Sequence, residues 1–330
     1  MRFILWLGLT LGVLWGAYWF VGSQAIEAGA GQWVADMQAQ GLTVEQDGIA
    51  VSGFPSRFDL TVTRPRLSDP VTGWGWKAPF AQVLSMTWKP WHVIAVLPLD
   101  QEIDLPGQRI ALTTSRMQGS LRLQPSSDLA LEEVVVEAQD LTASSDLGWQ
   151  IGVGSAVMAL TRDETVPFGQ RLGLELTDMR PDPKLALRIP ELGPVISKVH
   201  LDSKLVLSAA LDRHAGENAP VVTGLIVKDF QFVWSKLHLS AKGQIEPGPD
   251  GVAVGQIDFR IEEWRFVPAL AVALGLIRPE LAESLTKGLE ALAKSGGDPD
   301  VLELPLTFAD GKMTLGPLPL GPAPILVQRQ

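Results

Sequence analysis

Residues 3–21 contain no charged side chain, and this run constrains the chain more than any other feature. At about 1.5 Å per residue, a helix of that length nearly spans a hydrocarbon core of about 30 Å. No polar face interrupts it, so it does not read as the half-buried helix of a soluble core. Arg2 precedes the run, and Glu27 and Asp36 follow it. The bias of cationic residues towards the cytoplasm puts the start of the chain there and the rest across the membrane. Trp15, Tyr18 and Trp19 suit an interfacial aromatic belt at the outer end. The competing reading is a cleaved export signal, with Ala28-Gly29-Ala30 as the cleavage-like site. Residues 1–22 are therefore expected as a signal-anchor. Residues 23–41 are expected as a membrane-proximal helix, since Ile26, Ala30, Trp33, Val34 and Met37 recur at helical spacing.

The remainder is acidic, with a formal net charge of −10 for the whole chain. That balance speaks against a nucleic-acid partner, which needs Lys and Arg to neutralise phosphate. It speaks equally against broad attraction to anionic headgroups. There is no cysteine, which excludes disulfides, thiolate metal sites and cysteine nucleophiles.

From residue 42 onward the dominant period is two. Phe58, Leu60 and Val62 alternate with polar neighbours, as do Leu172, Leu174 and Leu176. Leu237, Leu239 and Ala241, then Ile257, Phe259 and Ile261, do the same. Each set predicts a strand with one apolar face, as in antiparallel sheets covered on one side. Asp47-Gly48, Asp250-Gly251 and Asp310-Gly311 read as hairpin turns. One segment differs: apolar residues at helical steps over 267–294 predict an amphipathic helix, or two helices broken before Pro279. Pro317 and Pro319 interrupt the last arm, so it should lie at an edge or leave the sheet. The expected fold is mainly β: a long curved antiparallel sheet of hairpins over residues 42–330. Two subdomains, 42–215 and 220–330, would meet at residues 214–220.

Catalytic patterns are missing. His92, His200, His214 and His238 are far apart in sequence, so no local metal pair exists. Glu132-Glu133 and Glu262-Glu263 point to opposite faces of their strands. Gly152-Val153-Gly154-Ser155-Ala156 lacks the order of a nucleophile elbow. Neither a P-loop nor a dinucleotide fingerprint occurs, so no cofactor is expected. What remains is shape. The apolar strand faces either pack as a sealed core or leave a groove for acyl chains. The expected lining of such a groove is Phe58, Leu60, Val62, Leu237, Leu239, Ile257, Phe259 and Ile261.

Three stretches carry a family resemblance. They are Gly53-Phe54-Pro55-Ser56-Arg57-Phe58-Asp59-Leu60, residues 251–264 ending in Glu263-Trp264, and residues 304–317 around Asp310-Gly311. Together they resemble an alphaproteobacterial envelope family known as domain of unknown function 2125. The hairpin style is also similar to proteins of the AsmA type, which carry β-groove domains on one N-terminal helix. The resemblance implies a bacterial inner-membrane location with the bulk periplasmic, or secretion to the periplasm if the signal is cleaved. It brings no catalytic residue with it. The expected function is non-enzymatic lipid or apolar-ligand binding, or envelope maintenance. The alternatives are a scaffold that docks envelope proteins through sheet edges, and an enzyme of envelope glycan or lipid.

Overall fold

The structure, a computed structural model, describes residues 1–216 and 219–327. Glu217 and Asn218, within the expected boundary at 214–220, lie outside the described residues. About 50% of the chain is strand and 22% helix, and the strand pairings are antiparallel. The chain forms two compact units. One comprises Met1–Pro125 with Val136–Gly148, the other Ser126–Val135 with Trp149–Gln330. The expected boundary at residues 214–220 falls inside the second unit, between two strands that pair along most of their lengths.

The first unit begins with helix α1 (Arg2–Ala39). It is continuous where a division near residue 22 was expected. No proline lies between residues 2 and 39, so the hydrogen-bond ladder has no missing donor. The strands are β1 (Thr43–Glu45), β2 (Gly48–Ser52), β3 (Arg57–Thr63), β4 (Arg66–Ser68), β5 (Gly75–Lys77) and β6 (Phe80–Met86). They continue as β7 (Lys89–Val96), β8 (Asp100–Leu105), β9 (Gln108–Thr113), β10 (Arg116–Leu123) and β11 (Leu131–Ser145), whose later part belongs here.

The pairings show that the first ten are halves of five long strands, each broken at its middle. One leaf runs β2, β3, β6, β7, β10. The other runs β1, β4, β5, β8, β9, β11. The breaks line up across the meander, and three contain Pro65, Pro79 or Pro98, which cannot donate to a ladder. Neighbouring breaks are tied by Arg64 N–H to Pro79 O at 2.9 Å and Ala78 N–H to Pro65 O at 3.2 Å. Asp47-Gly48 is therefore not a hairpin turn but the break in the first long strand: β1 pairs with β4, and β2 with β3.

The second unit is a plain meander in which each strand pairs with the next. Its strands are β12 (Gln150–Asp163), β13 (Gly169–Arg180), β14 (Ile196–Leu207), β15 (Val222–Trp234) and β16 (Leu237–Pro247). Then come β17 (Ala253–Glu262), β18 (Val301–Ala309), β19 (Lys312–Leu315) and β20 (Leu318–Pro322). In β17 burial alternates strictly: Ala253, Ile257 and Ile261 are buried, while Val254, Gln256, Asp258 and Arg260 are exposed. Between β16 and β17 the backbones approach closely. A Cβ on Gly243 (φ +154°) would lie 2.1 Å from Gln256 O, so only glycine fits. Asp310 and Gly311 both take positive φ, which makes the β18–β19 turn a tight hairpin. At Gly316-Pro317 the chain reverses, and β20 folds back antiparallel on β19.

Helix α2 (Pro183–Ala186) precedes a 3₁₀ turn at Pro190–Leu192. The amphipathic segment forms α3 (Phe266–Ala273) and α4 (Pro279–Ser295), divided before Pro279. These elements cover one end of the sheet. Leu289 and Ala293 of α4 pack with Trp234, Leu237, Ile261, Trp264 and Leu302. The two buried indoles are satisfied: Trp234 Nε1 donates to Gly193 O and Trp264 Nε1 to Pro299 O, each at 3.0 Å.

The opposite face is laced with charge. Lys204 Nζ lies 2.6 Å from Asp163 Oδ2, and Thr165 also donates to that carboxylate. The Lys204 hydrogen bond leads in holding the Asp163 acid far below its usual value, with Thr165 adding to it. A carboxylate with a lowered folded value stabilises fully above its unfolded value of about 3.9, and that stability is lost as pH falls towards the folded value. Asp163→Asn should lower the urea midpoint at pH 7, and the deficit should shrink below about pH 4. Urea melts at both pH values check this; a deficit independent of pH would mean the charge is not its source.

Candidate functional site

The inner faces of the two leaves enclose an apolar cleft of about 330 Å³. That is at the lower end of small-molecule sites, about 300–1,000 Å³. Register explains its composition. On one leaf Leu60 pairs with Val83, and Val62 with Ala81. On the other, Val44 pairs with Leu67, and Leu67 with Trp76. Both rows line the cleft, and Ala30, Trp33 and Val34 of α1 close its open side.

A polar clasp lies beside the cleft. Trp76 Nε1 donates to Gln101 Oε1 at 2.9 Å. Gln101, buried, donates to Pro98 O at 3.2 Å and reaches Met117 Sδ of the opposite leaf at 3.3 Å. The fold is thereby pinned across its interior. Among the described residues, the Gln46 side-chain oxygen near the cleft is buried without a hydrogen-bond partner.

Two larger depressions differ in chemistry. An open trough of about 640 Å³ is flanked by Arg64, Arg66 and Lys77. Its cations already pair with Asp47, Glu45 and Glu102, so no charge stands ready for an anion. In the second unit, Leu281, Leu285 and Leu318 line an apolar groove of about 520 Å³ between α4 and the final strands.

The eight residues expected to line one groove are divided between the units. Leu60 and Val62 line the cleft. Phe58 is buried instead against α1, with its ring 6.2 Å from both Tyr18 and Trp19. Leu237 and Ile261 lie under α4, with Leu239 packed beside them. Ile257 is buried in a smaller cluster, with Phe259 at its margin. The sequence reasoning missed Val44, Leu67, Trp76, Ala81 and Val83. Their strands are three residues long or hold small side chains, so no alternation marks them.

The histidines remain dispersed. His200 sits between Glu175 and Asp229 at 3.4 and 4.0 Å on the charged face of the second unit. His92 Nε2 is 3.1 Å from Ser120 Oγ, and His238 is 3.7 Å from Glu262. Among the described residues, no three His, Cys, Asp or Glu converge as a metal site.

Comparison with known proteins places the chain. A bacterial family described as "Uncharacterized protein conserved in bacteria (DUF2125)" matches residues 19–324. The chain belongs to this family. No curated protein and no solved structure matches it. The DUF2125 match begins at Trp19, within the stretch of α1 that packs on the strands, and takes in most of both units.

Proposed function

We propose that this DUF2125 protein is a periplasmic, non-enzymatic carrier or sensor of an apolar chain, held at the inner membrane by the first half of α1. The apolar cleft between the two leaves carries this reading. Its lining is almost wholly apolar and suits an acyl chain. The hairpin style similar to AsmA-type proteins supports the same reading. So does α1, which is long and apolar enough to cross a membrane. Packing favours an anchor over a cleaved signal. Cleavage near Ala28–Ala30 would remove Trp15, Tyr18 and Trp19, which all donate hydrogen bonds to the strands' turns. N-terminal sequencing of the mature protein decides between the two.

Native mass spectrometry of the full chain, released from nanodiscs, tests the binding. An adduct of lipid mass retained by the protein is expected. A bare protein that also takes up no added fatty acid or lysolipid would overturn the proposal.

A second reading rests on the C-terminal edge. Among the described residues strand β20 pairs on one side only; Leu318 and Leu320 are exposed, and Leu318 lines the α4 groove. Such an edge suits addition of a partner's strand. Crosslinking from a label at Leu320 in intact membranes would identify that partner.

A further inference from the structure

Helix α1 meets the first unit inside its own apolar run. Trp15 Nε1 donates to Pro55 O at 2.8 Å, Tyr18 Oη to Thr87 O at 2.7 Å, and Trp19 Nε1 to Arg57 O at 2.7 Å. A Cβ on Gly16 would touch Phe54 at 3.8 Å, and one on Gly22 would fall 2.6 Å from Phe58 Cζ. The two turns thus gripped, β2–β3 and β6–β7, are also tied together, since Thr87 N–H donates to Ser56 O at 3.1 Å.

The contact level has a geometric consequence. If residues 3–21 fill the hydrocarbon core, Trp15 and Trp19 lie about 9 and 3 Å inside its outer boundary, at about 1.5 Å per residue. Raising the turns clear of the bilayer would leave only residues 2–14 to span it, about 20 Å against the roughly 30 Å required. The turns must therefore enter the bilayer with the helix.

Their chemistry fits that position. Phe54 and Trp88, at the two turn tips, are 57% and 58% exposed, and Met86 is 43% exposed. Arg57, next to the first turn, is neutralised by Asp59 at 2.8 Å. The three turn carbonyls that lipid could not satisfy accept from the helix aromatics instead, as backbone in a dry layer demands. The acidic net charge speaks against broad headgroup attraction, which favours an apolar contact.

We infer that the β2–β3 and β6–β7 turns form a collar around α1 that inserts Phe54 and Trp88 into the outer leaflet of the anchoring membrane, seating the first unit directly on the lipid surface. The inference rests on α1 spanning the membrane, and its test separates the two claims.

The chain has no cysteine, so single cysteines can carry a spin label without background. Full-length Phe54→Cys, Trp88→Cys, Leu9→Cys and Gln40→Cys are labelled in nanodiscs of phosphatidylethanolamine and phosphatidylglycerol. Accessibility is measured to oxygen, which concentrates in lipid, and to a water-soluble nickel chelate. Gln40 lies about 30 Å along the helix from Trp19 and should read as water. Positions 54 and 88 should resemble Leu9, with an oxygen-to-nickel ratio several-fold above that at Gln40. Water-like readings at 54 and 88 with a lipid-like Leu9 would overturn the collar and leave the anchor standing. A water-like Leu9 would overturn both. Among the described residues Trp88 makes no ring stack, so its variant reports even if Phe54→Cys loosens the contact with Trp19.

Discussion

Replacing Ala81 with phenylalanine should empty the cleft. Ala81 lines it beside Val83 and faces the row of Val44, Leu67 and Trp76. A phenyl ring there fills space that a ligand would otherwise take. Overpacking of a closed core costs about 1–3 kcal/mol, but here a void receives the ring, so folding should be nearly preserved. Retained lipid should fall at least about tenfold, equivalent to about 1.4 kcal/mol of lost affinity. Native mass spectrometry of both proteins from the same membranes reads the change, and a urea melt confirms the fold. Unchanged lipid in a folded Ala81→Phe protein would show that the cleft is not the binding site. Leu60→Ala is the converse variant: it enlarges the cleft, so lipid should persist while stability falls.

Trp19→Ala should free the helix from the first unit. Trp19 is 7% exposed, stacks on Phe58 and meets Phe54 edge-on at 5.4 Å. Its loss removes a buried aromatic, typically about 3–5 kcal/mol, and leaves the Arg57 carbonyl without its indole donor. Hydrogen exchange in nanodiscs should show faster exchange at the β2–β3 and β6–β7 turns, with the second unit unaffected. Trp33→Ala should spare these turns, because that side chain closes the cleft instead. Equal protection of the turns in wild type and Trp19→Ala would mean the aromatic grip does not hold the unit.

Both predictions concern features only partly legible in the sequence. Strong two-residue alternation made the second unit readable. Residues 237–241 and 257–261 are strands with the faces expected, because a one-sided sheet buries every second residue. Pro279 divided the helical segment where its missing N–H requires. The first unit was harder. Its long strands are broken at Pro65, Pro79 and Pro98, and three-residue strands are too short to display a period. Asp47-Gly48 looked like a hairpin turn because those residues suit one. Which strands pair is settled by partners distant in sequence, and these make it a fold line.

The uncharged run that opens the chain shows the same division. By composition and length alone, the sequence established a helix able to span a bilayer, because hydrophobicity is a property of residues and not of their arrangement. It also established an antiparallel β-rich body, since alternation is local. Only the tertiary structure decided that the helix continues unbroken to Ala39, grips two turns through Trp15, Tyr18 and Trp19, and closes a cleft with Trp33. Those contacts join residues 38 to 69 positions apart, and no local pattern encodes which carbonyl an indole will find.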